Sequence, residues 1–130
     1  VNESQFASEY RAVVKALEPK ATIFRHVEQM TRDVPDTSIT LNERTIWVEF
    51  KRSWWEAPED FDYPQEKTHT AMGNVWVVVF VVQGAATLAQ VLTFNPTRPF
   101  PLPWNVLSGR KARLEAYRRS WSQIRTALWA

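Results

Sequence analysis

Cysteine is absent from the 130 residues. That excludes disulfide staples and thiolate metal sites, and it fits a reducing compartment. Glycine is scarce, at three residues, and with 45% hydrophobic content this argues for a folded globule rather than a disordered chain. There is no Gly-rich phosphate loop, helix-turn-helix signature, internal repeat or low-complexity tract. Long apolar runs are missing too. The longest, Val75 to Val82, is far short of the ~20 residues that cross a bilayer, and no stretch reads as a secretory signal. The expectation is one domain over residues 1–130, with no membrane contact, in the cytoplasm.

Acidic side chains are nearly missing from the second half. Residues 67–130 hold 1 acidic against 8 basic side chains, while residues 1–66 hold 13 against 8. The front is therefore −5 and the back +7, a division that suits a protein holding both a cation and a polyanion. A basic tail that is only a solvated helix face would give the same count.

The periodicity predicts an α/β order. Phe6, Tyr10, Val13, Val14 and Leu17 recur at helical spacing over residues 2–18, closed by Pro19. Residues 21–27 suit a strand, and 28–34 a polar connection. A hairpin follows with its turn at Leu41-Asn42-Glu43-Arg44, where Asn42 tolerates left-handed dihedrals. An acidic, aromatic loop then carries Trp54 and Trp55, which suit stacking on bases or burial. A short helix near Pro64, with Asp62 as its cap, ends at Gly73-Asn74. Residues 75–83 are apolar on both faces, as a strand buried between two layers must be, and 86–94 would pair beside them. The core thus spans about 2–95. A Pro-rich connector, 96–104, leads to a basic amphipathic helix over about 107–129 with the stripe Leu114, Tyr117, Trp121, Ile124 and Leu128. That stripe suits docking on its own sheet or joining two subunits of a homodimer.

The chemistry gathers between residues 35 and 51. Ile46, Val48 and Phe50 alternate with Trp47, Glu49 and Lys51, so Glu49 and Lys51 share one face of a half-buried strand. With Asp36 on the preceding strand, two carboxylates and an amine meet on one surface. Mg²⁺ takes one or two carboxylates and keeps waters and phosphate oxygens. An adjacent lysine can orient an attacking water or steady charge on a phosphate. Taken singly, Glu49-X-Lys51 also fits a solvated charge pair, and Asp36 a turn former.

Pro35-Asp36 followed by Glu49-X-Lys51 resembles the motif of the PD-(D/E)XK nuclease superfamily, within which residues 3–83 look most like small phage and VRR-NUC-type nucleases. The resemblance implies a restriction-endonuclease-like α-β-β-β-α-β core, a mixed four- to five-stranded sheet flanked by helices. It implies a Mg²⁺- or Mn²⁺-dependent DNA endonuclease, in a host-cell cytoplasm if of phage origin. In that reading Asp36, Glu49 and the main-chain carbonyl of Phe50 hold the metal and Lys51 positions the water. Glu3, near the middle of the first helix's apolar face, completes the acidic shell. Glu9, at the edge of that face, is the runner-up, its spacing to the first strand resembling archaeal Holliday-junction resolvases. Gln65 reaches the lysine or the scissile phosphate from the second helix. His26 is similar to a histidine that precedes Pro-Asp in phage relatives, and it would contact a phosphate, tune the metal or serve the fold. Arg52, Lys67, Arg110, Lys111, Arg113, Arg118 and Arg119 are the cations placed for DNA. The competing expectation is a nuclease-fold nucleic-acid-binding or phage assembly protein without turnover.

Overall fold

Asn2 and Gln5 open the first helix by satisfying each other's backbone. The Asn2 side chain accepts from the Gln5 N–H at 2.8 Å, and the Gln5 side chain accepts from the Asn2 N–H at 3.0 Å. This reciprocal cap takes two of the four N–H groups that a helix start leaves without an internal partner. Helix α1 runs Glu3–Leu17 in the computed structural model, which describes residues 2–26, 35–53, 66–82, 89–95, 105–107 and 109–129. Its centre line is Phe6, Tyr10 and Val14, all buried, whereas Glu3 is exposed at the first turn rather than facing the core. Burying each such side chain stabilises by roughly 1.5–3 kcal/mol.

Strands β1 (Thr22–Arg25), β2 (Thr37–Leu41) and β3 (Arg44–Ser53) form an antiparallel meander. The β2–β3 turn is the expected two-residue one. Leu41 pairs with Arg44, and both Asn42 and Glu43 have positive φ, 51° and 65°. Two left-handed residues are what a type I′ hairpin demands, because its twist matches that of the flanking strands. A crossover through α2 (Glu66–Met72) brings β4 (Val75–Val82) parallel to β3, and β5 (Ala89–Phe94) then returns antiparallel.

Among the described residues six strands, in the order β1 to β6, make one mixed sheet, against the expected four or five. The addition is β6 (Asn105–Leu107), which pairs with β5 where the sequence suggested only the passage from connector to helix. Three residues following a proline-rich stretch carry no readable period, so only pairing reveals this strand. The last helix, α3, accordingly starts at Gly109, not 107, and runs to Trp129.

One hydrophobic cluster joins α1, α3 and one sheet face, with Phe6, Tyr10, Phe50, Phe80 and Tyr117 in edge or tilted ring contacts at 5.2–6.4 Å. Tyr117, Trp121 and Ile124 of α3 are buried there, and Leu114 and Leu128 pack at its border. The apolar stripe therefore docks within the chain, and a dimer through α3 would have to use its other faces. β4 is buried on both sides from Val75 to Phe80, as its unbroken apolar run requires. Among the described residues no helix is long and apolar enough to cross a membrane.

Candidate active site

Asp36 stands one residue ahead of the Thr37–Val48 pair, which sets it level with Glu49 on the neighbouring strand. From the other side the His26 N–H donates to the Asp36 carbonyl at 2.6 Å. The residue is thus pinned between the end of β1 and the middle of β3. Its Oδ1 is buried with no hydrogen-bond partner among the described residues. Leaving a carboxylate oxygen so placed costs free energy that a proton or a cation would recover. Burial pushes the Asp36 carboxyl above the usual carboxylate range. The Arg11 guanidinium and a Thr37 hydrogen bond oppose that shift, and Glu3 adds to it.

Glu49 and Lys51 share a face as their alternation requires. The Lys51 ammonium lies 3.5 Å from Glu49 Oε1, and the Glu49 side chain is only 13% exposed. Burial first, then repulsion by Asp36, push the Glu49 carboxyl up to about 7. Lys51 pulls it down without cancelling this, and Glu3 raises it further. Asp36 is therefore close enough to penalise the ionisation of Glu49, which is the electrostatic condition that a divalent ion reverses. Asp36 and Glu49 are the converging pair. No group of three His, Cys, Asp or Glu side chains positioned to hold a metal occurs among the described residues. Phe50 stands between Glu49 and Lys51 with its ring in the core against Phe6 and Tyr10.

His26 walls the site together with Trp47. Its Nε2 is 2.8 Å from Ser38 Oγ, and its ring lies 4.8 Å from the Trp47 indole. Ser38 and Trp47 are cross-strand partners, so the three side chains gather on one sheet face. Trp47 is two residues before Glu49 and on the same side of β3.

Other candidates go elsewhere. Glu9 does not join the pair. Its carboxylate accepts from Arg113 Nε and Nη2 at 3.2 and 3.1 Å and from the Tyr117 hydroxyl at 3.1 Å, tying α1 to α3. Six residues beyond Glu3 on a helix is about 240° of rotation, which turns it away. Arg113 is consequently engaged in a helix–helix clamp rather than presented to solvent. Arg118 and Arg119 lie within 3.5 Å of Glu115 on their own helix, and Arg110, Lys111 and Lys67 are exposed. Gln65 and the Arg52 side chain lie outside the described residues, as do Trp54 and Trp55.

Arg11 went unnoticed in the sequence and belongs to this neighbourhood. Its Nη1 donates to Thr37 Oγ1 at 3.1 Å, and its guanidinium carbon sits 5.9 Å from the centre of the Phe50 ring. It is four residues after buried Ala7 and three before buried Val14, so helical spacing already put it on the flank of the buried face. Comparison of the chain with known protein families, curated proteins and solved structures finds no match.

Proposed function

We propose that this protein is a metal-dependent endonuclease of the PD-(D/E)XK type, hydrolysing phosphodiester bonds in DNA. The observation that carries the reading is the buried pair Asp36 and Glu49 with Lys51 3.5 Å from the latter. The chain order α1-β1-β2-β3-α2-β4, with β3 and β4 parallel, supports it as the α-β-β-β-α-β core such enzymes would have.

The residues suit a hard cation. Two carboxylates are the usual protein share of a Mg²⁺ shell, and the buried Asp36 Oδ1 is an oxygen donor without a hydrogen-bond partner among the described residues. Asp36 and Glu49 would hold the ion together with the Phe50 carbonyl. Glu3, exposed at the mouth, contributes negative charge that draws cations in. A bound divalent ion would polarise the phosphodiester and offset the charge developing on it. Lys51 orients the attacking water and faces the phosphate with its ammonium. His26, held by Ser38 and Trp47, borders the site where the strand enters.

A nicking assay on supercoiled plasmid and on a four-way junction, in Mg²⁺, Mn²⁺ or EDTA, tests the reading. Cleavage should require the metal and fall roughly 10²-fold or more in Lys51→Ala and Asp36→Ala. Full activity of both folded variants would refute the assignment. Two rather than three acids cluster here among the described residues, and the second reading is a nuclease-fold nucleic-acid-binding protein without turnover. Salt-sensitive binding with no nicking in any metal would select it.

A further inference from the structure

We propose that the groove between α1 and the edge strand β1 binds the sugar-phosphate backbone of the nucleic acid, with Arg25 and Arg11 as its phosphate ligands. This inference rests on the nuclease reading for the identity of the polyanion, although the groove's preference for anions does not. An open groove of about 540 Å³ is lined by Arg11, Lys15, Thr22 and Arg25, three cations and a hydroxyl with no acidic side chain in the lining.

The three cations differ in what already engages them. Lys15 donates to the Pro19 and Ala21 carbonyls at 3.0 and 2.7 Å, closing the end of α1 and adding field rather than a free hand. Arg11 is half-buried, anchored by Thr37 and Phe50, and it faces both Asp36 and Arg25. The like charges of Arg11 and Arg25 repel; Asp36 offsets this on one side, and an anion between the two guanidiniums would relieve it further. Arg25 is exposed on β1, one residue before His26, whose N–H holds Asp36. Arg11 thus touches the groove on one side and the field of Asp36 on the other. By contrast, Arg113 and Arg125 of α3 are tied to Glu9 and Glu18, which makes α3 the poorer grip.

Fluorescence anisotropy of a labelled 20-base-pair duplex and a 20-nucleotide single strand, titrated in EDTA across a salt series, tests this directly. Arg25→Ala should weaken binding to every sequence alike and lower the slope of log K against log salt by about 0.9 on duplex or about 0.7 on single strand. Arg25→Lys should keep most of that slope, whereas a double variant Arg118→Ala, Arg119→Ala should leave it unchanged. An Arg25→Ala slope equal to wild type overturns the groove assignment, and so does an equal loss in the α3 double variant. Plasmid nicking by the wild type, scored separately, keeps the two readings apart. Nicking with no Arg25 dependence of binding sinks only the groove, and Arg25-dependent binding without nicking sinks only the nuclease.

Discussion

Two carboxylates that would both be ionised in water are held where neither is comfortable ionised. Glu49, pushed to about 7 from an ordinary value near 4.5, binds its proton more tightly folded than unfolded between those pH values. Stability therefore falls as pH rises through that window, and the penalty is fully present above about pH 7. Glu49→Gln is expected to remove this slope and to be more stable than wild type at pH 8 by about 1–3 kcal/mol, in urea unfolding at pH 5 and pH 8. Equal slopes in both proteins would show that Glu49 is not strained. Active sites often show this sign, where removing a functional acid stabilises the fold. The pair was legible in the sequence because alternation fixed the face of Glu49 and Lys51, and hairpin pairing fixed Asp36 opposite. Arg11 was not, since its effect on Asp36 depends on how α1 packs over β3.

At the scale of elements, α1 and α3 are joined by polar ties around an apolar centre. Glu9 meets Arg113 and Tyr117, and Glu18 meets Arg125 and Trp121. Between them the buried hydroxyls of Tyr10, Ser120 and Thr93 form a relay at 2.8 and 2.6 Å. Ser120→Ala should leave two buried hydroxyls without their shared partner and cost about 1–3 kcal/mol by denaturant unfolding, with the proposed DNA cleavage unaffected. A loss of cleavage in a fully folded Ser120→Ala protein would mean that the relay serves the site. Glu43 stands at φ 65° in the β2–β3 turn, so Glu43→Gly should stabilise by about 1 kcal/mol; an unchanged melting temperature would contradict the strain argument. This turn and the doubly buried β4 could be read from local residues. The partners of the α3 arginines could not, because an acid more than 100 positions earlier in the chain claims Arg113 and another claims Arg125. A stripe identifies the face a helix buries, but it does not say which charges on the remaining faces the fold will use.

For the whole molecule, the uneven charge of the two halves acquires a more particular meaning. Asp36 precedes β2 and stands across from Glu49 of β3, and the cations acting on them are Arg11 of α1 and Lys51 of β3, both from the front half rather than the basic tail. The net +7 of residues 67–130 is partly absorbed by the acids of α1. In the proposed enzyme Asp36 and Glu49 together form one divalent-cation site. Calorimetric titration of the purified protein with Mn²⁺ at pH 7 and pH 8 tests it most directly. The expected result is one ion per chain, with proton release greater at pH 7 because Glu49 is part-protonated there. Asp36→Asn should abolish the binding. Absence of Mn²⁺ binding at millimolar concentration, or binding that survives Asp36→Asn unchanged, would contradict the claim.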